Sequence, residues 1–394
     1  MYDVIVSGAG PSGSKCAEII AKAGFKVALI ERDCTWRKPC GGAVSSRVFK
    51  YFPQLRKQKY LQITGMNLYS ADYKILKYSW NNFKDYSINV DRLQFDNLIR
   101  DIAVDAGAEL FDKNFSFDFL IKNNKKAGVK TKSTTGTKEF LGKLIIIADG
   151  VGSRLAIKSN LRQKWQIDEI GICKCGIFEG KNNLETEYMS FFFRPYKGYA
   201  WIFPLDNKRF NIGCGTWQEE NKNYNVNLIY NNFIKDPFIV NLLSKNIQTY
   251  KKVWEAAYPL PAIGVKANCL FGDNIMIVGD AAGFVSPISG EGIYPSIVSS
   301  NFAAKAAISA LEKEEISKEM LKQYHSFSNI KKIIRVFKMK ALMVDFFFKN
   351  KGRHFSQMLK LAEENDKFKE EIINMFLFNQ IPSRELVLRI NTET

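Results

Sequence analysis

The sequence predicts an α/β protein in three parts: a Rossmann-like dinucleotide-binding domain, a substrate domain built on an antiparallel sheet, and a C-terminal helical region. Three observations predict it. The first 31 residues run strand, glycine turn, helix, strand, acid. Two later apolar strands, within 143–154 and 274–293, run into Asp149-Gly150 and Gly279-Asp280, as strands do at the carboxyl edge of a parallel sheet. Between them, "EYMSFFFR", "GYAWIFP" and "RFNIGCGT" read as strands of an antiparallel sheet.

The opening unit carries the most chemistry. "DVIVSG" is a short apolar strand, and "GAGPSG" places glycines at Gly8, Gly10 and Gly13. Gly8 makes the tight turn, Gly10 lets the backbone approach a pyrophosphate, and Gly13 lets the following helix pack on the strand. The helix N-terminus presents free N–H groups and roughly +0.5 charge to the phosphates. "KVALIE" then ends at Glu31, 23 residues after Gly8, where an acid suits a ribose hydroxyl. This unit alone does not separate NAD from FAD. "NVDRLQFDNLI" puts Arg92 at the start of another helix. Asp280 is read as a hydrogen-bond partner of the ribityl or pyrophosphate region. The helix that begins near Glu291 could point its N-terminus at a flavin ring and favour negative charge on the reduced form.

Composition narrows the partners. The chain has 394 residues and 46% hydrophobic content, enough for more than one domain. Its net charge of +17 attracts anions: nucleic acid, phospholipid headgroups or an acidic protein. No zinc-finger spacing, arginine-rich block or RNA-binding signature is present, so nucleic acid is not expected. With two histidines and no C-x-x-C, no metal site is expected either. Seven scattered cysteines suit a reducing cytosol. The start "MYDVIVSGAG" lacks signal-peptide features, and no charge-free apolar run is long enough to span a bilayer. The expected location is cytoplasmic, with peripheral association at a membrane.

Together these stretches resemble the FAD-dependent fold of p-hydroxybenzoate hydroxylase. Within that fold the chain is similar to the geranylgeranyl reductase family, of the archaeal digeranylgeranylglycerophospholipid reductase kind. "KPCGGA", 38–43, is similar to the family's K-x-C-G-G loop, "GYAWIFP" to the latter part of P-x-x-Y-x-W-x-F-P, and "SGEGI" to the segment beside the flavin. The likeness covers roughly residues 1–310. Ala43 stands where many archaeal members have glycine, and Pro195 lies one residue before the family proline, with Tyr196 in its place. The resemblance implies FAD contacts at Gly13, Glu31, Arg32, Gly41, Gly42, Val44, Arg92, Asp280, Gly292 and Ile293. It makes the first part a discontinuous FAD-binding domain, expected at 1–60, 85–157 and 265–315. The substrate domain is then expected at 61–84 and 158–264, and the helical region at 316–394.

In "GYAWIFP", Tyr199, Trp201 and Phe203 share one face of a strand while Ala200 and Ile202 share the other. Spacing alone favours ordinary sheet core. The resemblance instead implies a roof over the flavin, with Phe203 in the substrate pocket and Tyr199 and Trp201 at the reacting bond. Cys40 reads as a small buried residue of a glycine loop, and its place in K-x-C-G-G implies a catalytic or pocket-shaping role beside the flavin. Cys173 and Cys175 read as packing, and His325 and His354 as surface residues. In "NIKKIIRVFKMKALMVDFFFKN", Lys331, Arg335 and Lys338 recur at helical spacing, with Ile334, Phe337, Ala341 and Val344 on another face. Such a basic amphipathic helix either packs on the domain or lies on a membrane surface.

The expected function is a flavin-dependent reductase that saturates C=C bonds of a geranylgeranyl lipid. Most of those bonds lack an adjacent carbonyl, so direct hydride attack would leave an unstabilised carbanion. Protonation to a tertiary cation with hydride from the flavin is easier, and aromatic faces stabilise a cation by about 0.5–2 kcal/mol. The expected electron donor is a reduced, acidic ferredoxin or flavodoxin, or NAD(P)H. The alternatives are a flavin monooxygenase or halogenase of the same fold, and a non-catalytic protein that binds FAD and lipid. Halogenases have a W-x-W-x-I-P segment, from which Tyr199 and Phe203 depart.

Overall fold

The computed structural model describes residues 1–79, 86–123, 125–194, 196–223, 225–243, 250–377 and 380–392. Pro195 and the expected boundary at 84–85 lie outside the described residues. The strand Tyr2–Ser7 carries apolar side chains on both faces, which suits a parallel strand covered on both sides. Val4, Ile5 and Val6 are fully buried. Val6 pairs in parallel with Ile146 on one side and Leu29 on the other. From edge to edge the sheet runs Phe271–Gly272, Ile275–Ile277, Gly136–Ile147, Tyr2–Ser7, Val27–Ile30, Glu109–Phe111. Phe115–Lys122 and Lys125–Ser133 extend it as an antiparallel flap. The helices Pro11–Lys22 and Ile293–Glu312 pack against each other, and small residues such as Ala17, Ala303 and Ala307 join the core of the sheet. The first strand sits mid-sheet, so the chain winds out both ways from it. A crevice opens at the carboxyl ends where the direction reverses.

The second sheet runs Tyr250–Pro261, Ile170–Gly180, Arg209–Trp217, Gly198–Pro204, Tyr188–Phe193, Gly65–Tyr69, Ile75–Ser79. It is antiparallel, as expected, with one exception: Tyr188–Phe193 pairs in parallel with Gly65–Tyr69. Those two strands are separated by more than a hundred residues, so no hairpin dictates their direction. The sheet has two different faces. Ala200 and Ile202 pack with Phe192 and Phe210, whereas Trp201 and Phe203 pack with Met189 and Phe191. We propose the domain partition expected above, because the strands of the two large sheets follow it; the short strand Gln62–Ile63 departs from it, pairing with Ser87–Asn89, which also pairs with Ala43–Ser45.

The long helix Ser328–Glu364 buries Phe337 and Val344 against the body and leaves Lys331, Arg335 and Lys338 exposed. His325 is exposed. His354 is not a surface residue: it is 4% exposed, its Nδ1 lies 2.7 Å from the Phe346 carbonyl, and its ring rests against Phe346. The reason is the aromatic layer beneath this turn of the helix, where Phe355 stacks on Phe193. Asp366–Leu377 and Arg384–Thr392 complete the helical region.

Candidate active site

The carboxyl ends of the parallel strands and the aromatic face of the second sheet line one continuous cavity. At its first end lies the glycine turn. Gly8 has φ +99°, and a Cβ there would lie 2.4 Å from the Ala148 carbonyl oxygen. A Cβ on Gly13 would lie 1.7 Å from the Gly8 oxygen, so Gly13 serves helix–strand contact, and it is not among the residues that line the cavity. Gly10 differs from both. It lines the cavity, has φ −74°, and a Cβ on it would meet nothing within 4 Å. It also caps the helix Pro11–Lys22 without any side-chain bond, so the first-turn N–H groups are left for an anion.

Acids and their partners surround that turn. Glu31 accepts from the Ala9 N–H at 2.7 Å and the Asp33 N–H at 3.2 Å, fixing its carboxylate against the glycine turn. The Arg32 guanidinium lies over the Trp36 ring, which in turn meets Tyr258 edge-on. Arg92 heads the helix Arg92–Asp105 and is held by Asp96 at 3.1 and 2.9 Å. Asp280 accepts from Lys38 Nζ at 2.6 Å and from Ser296 Oγ at 3.4 Å. Burial pulls the Lys38 ammonium down, but Asp280 outweighs it and leaves Lys38 above its ordinary value. Gly292 and Ile293 line the cavity at the N-terminus of Ile293–Glu312, beside Asp280. Asp149, which the sequence marks only as a strand end, joins the lining of the cavity. Its Oδ1 is buried with no hydrogen-bond partner among the described residues, and burial pushes the carboxyl up to about 7, against bonds from Ser153 and its own backbone and the charge of Arg162. The signal was present, as an Asp-Gly pair at the end of an apolar strand.

The glycine loop and the aromatic strand meet at the other end. A Cβ on Gly41 would lie 2.7 Å from the Phe203 ring and 3.0 Å from Trp201 Nε1. Gly42 has φ +81°, and its Cβ would lie 2.2 Å from the Val90 oxygen. Both glycines are therefore demanded by protein neighbours, whatever a bound ring adds. Cys40 lines the cavity half-buried; its Sγ accepts from the Gly42 N–H at 3.4 Å and its carbonyl from Asn211 Nδ2 at 3.0 Å. Val44 lines the same wall. Tyr199, Trp201 and Phe203 all face the cavity, yet Trp201 and Phe203 are also core. The Tyr199 hydroxyl donates to the Ser289 carbonyl, and burial pushes it well up. Trp201 Nε1 donates to Asn211 Oδ1 at 2.8 Å. Gly213, on the neighbouring strand, makes room for the indole: a Cβ there would lie 2.2 Å from Trp201 Cζ2. Cys175 packs behind this wall, whereas Cys173 is both buried and part of the lining.

These residues fit a flavin dinucleotide. The open space over Gly10 and the unpartnered Asp149 Oδ1 ask for a polar group, and the crevice sits at the switch point of the sheet. Comparison with known proteins agrees. The model of the FAD binding domain family matches residues 1–329. Digeranylgeranylglycerophospholipid reductase 2 of Methanopyrus kandleri is 27% identical over 332 residues, 82% of this chain and 81% of that protein. Digeranylgeranylglycerophospholipid reductase 1 of Methanosphaera stadtmanae is 30% identical over 333 residues, 82% of this chain and 79% of that protein. Among solved structures, a geranylgeranyl bacteriochlorophyll reductase-like protein of Thermoplasma acidophilum superposes with a TM-score of 0.77 at 22% identity, covering 100% of this chain and 96% of its own. The flavin-dependent brominase Bmp2 superposes with a TM-score of 0.75 at 17% identity, over 100% and 98%, and so shares the fold. Since the family model spans most of the sequence and the geometry accommodates its cofactor, the chain belongs to the FAD binding domain family and its cofactor is FAD.

Proposed function

We propose that this protein is an FAD-dependent oxidoreductase that saturates C=C bonds of geranylgeranyl chains, in isoprenoid or membrane ether-lipid biosynthesis. The observation that carries the reading is the wall facing the glycine loop: Met189, Phe191, Tyr199, Trp201, Phe203 and Phe376 offer hydrocarbon and ring faces. The reductase names of the relatives support the same reading. When bound, FAD supplies hydride. The chain's own residues do the rest. The aromatic wall takes up the polyprenyl chain, with burial favouring it by about 25 cal/mol per Å² of apolar surface, and excludes water from the reacting bond. The faces of Tyr199 and Trp201 favour positive charge developing on the alkene by about 0.5–2 kcal/mol. Cys40 Sγ stands at the tip of the glycine loop, held by Gly42.

The test is anaerobic incubation of the reduced flavoprotein with a geranylgeranyl lipid. Flavin reoxidation with a product mass rising by two hydrogens per bond is expected. A monooxygenase or halogenase would need oxygen, and a non-catalytic binder would leave the flavin reduced. In the same assay Cys40→Ala should keep its FAD and lose turnover tenfold or more, or change which bonds are reduced. Unchanged kinetics across all bonds would leave Cys40 as packing.

The membrane surface and the electron donor belong to this proposal too. No helix among the described residues is long and apolar enough to cross a membrane. The outer face of Ser328–Glu364 instead offers Lys331, Arg335 and Lys338 beside exposed Met339 and Leu342, a surface suited to anionic headgroups. Binding to anionic vesicles should be peripheral and fade as salt shortens the screening length below about 8 Å. Reversing the charge at Lys331 and Lys338 should weaken it severalfold. The excess of +17 also favours an acidic ferredoxin or flavodoxin over NADPH as donor at low salt. Efficient NADPH reduction with no vesicle binding at low salt would refute this account of the charge.

A further inference from the structure

On the long C-terminal helix Lys340 points inward, with an exposure of 0%, whereas its basic neighbours at 331, 332 and 338 are exposed. Its Nζ donates to the Met375 carbonyl at 2.6 Å and to Ser286 Oγ at 3.3 Å. Ser286 belongs to the loop 286–291, which lines the cavity and receives the Tyr199 hydroxyl at Ser289. Backbone bonds within the loop fix Ser286: its N–H donates to the Glu291 carbonyl and its own carbonyl accepts from Gly290. Its hydroxyl accepts from Lys340, and among the described residues the hydroxyl hydrogen has no acceptor. A buried cation is thus linked through one hydroxyl to the cavity where the reaction needs a proton.

Resting on the reductase reading, we propose that Lys340 is the proton reservoir of the site and acts through Ser286, making it a positioning residue one bond removed from the substrate. The Ser286 Oγ–H bond breaks as the new C–H bond forms. An Nζ–H bond breaks as Oγ–H is restored, leaving Lys340 a neutral amine that solvent recharges between turnovers. The electron pair arrives with the hydride on the other alkene carbon, and FAD is oxidised. A fully buried ammonium releases a proton far more readily than one in water. Burial draws Lys340 down to about 7, opposed by the charge of Glu291.

The test reads pH dependence. Single-turnover reduction by the holoenzyme should fall as pH rises through about 7, because the acid must be protonated to act. Lys340→Met, similar in volume and apolar, should lose at least tenfold at pH 6.5 and lack that limb. Ser286→Ala should lose the same limb. Lys340→Arg keeps donors but does not titrate, so it should not restore turnover. A variant series that is slow yet keeps the wild-type limb, or is rescued by arginine, would reduce Lys340 to a clamp between helix and loop and overturn the proposal. A second readout needs no turnover. With the folded value below the unfolded one, the unfolded chain binds more protons between about 7 and 10.5. The melting temperature of FAD-free wild type should therefore rise relative to Lys340→Met over that window, and parallel melting curves would also overturn it. Wild-type protein that turns over no geranylgeranyl lipid would sink the reductase reading instead, while the melting comparison still reports on Lys340.

Discussion

Gly10→Leu should purify as a folded, colourless protein. The backbone at position 10 has φ −74°, which any residue adopts, and a Cβ there meets no atom within 4 Å. The apo fold therefore has no reason to reject the leucine. A dinucleotide does, because the side chain would fill the space through which the pyrophosphate reaches the first-turn N–H groups. Hydrogen bonds to charged groups contribute about 1.5–3 kcal/mol each, so forfeiting two costs a hundredfold or more in affinity. Visible flavin absorbance and FAD released on denaturation measure the loss, and a thermal melt of the apoprotein measures the fold. Gly13→Ala is the contrasting variant. Its Cβ would sit 1.7 Å from a backbone oxygen, so it should fail at the level of folding. Gly10→Leu with a full complement of FAD would remove this turn from the cofactor site.

Trp201→Ala should be the most damaging change in the aromatic wall, on stability and turnover together. Trp201 is 5% exposed, and truncating a buried aromatic costs about 3–5 kcal/mol. It also leaves Asn211 Oδ1 without its donor, and Asn211 Nδ2 holds the carbonyl of Cys40. The damage thus reaches the glycine loop through one side chain. Trp201→Phe separates the two effects: it keeps most of the packing but not the Nε1–H bond. We expect Trp201→Phe to lose little in urea unfolding and still reduce turnover, with FAD content unchanged. Stable Trp201→Ala with wild-type turnover would show that the wall is neither core nor pocket.

Local features of this protein were legible in sequence. The glycine turn at 8–13 reads directly because its conformation is set within a few residues. The two-faced strand 198–204 reads because alternation fixes which side chains share a face. The amphipathic helix also reads, with Phe337 and Val344 inward and Lys331, Arg335 and Lys338 outward. Spacing could not say whether the Trp201 face was core or cavity, and in the structure it is both. Nor could it say why Gly41 and Gly213 are glycines, since the rings they accommodate come from another strand.

By itself, then, the sequence determined the order of elements, the polarity of each face and the turns that only glycine permits, because those depend on neighbours along the chain. The tertiary structure decided which charges are partnered and which are buried. Lys38 finds Asp280 across 242 positions. Asp149 Oδ1 is buried with no partner among the described residues, and His354 turns into an aromatic layer. Lys340, one basic residue among several on its helix, meets Ser286 in the interior. Desolvation and pairing are properties of the space around a group, and that space is assembled from segments that periodicity cannot bring together.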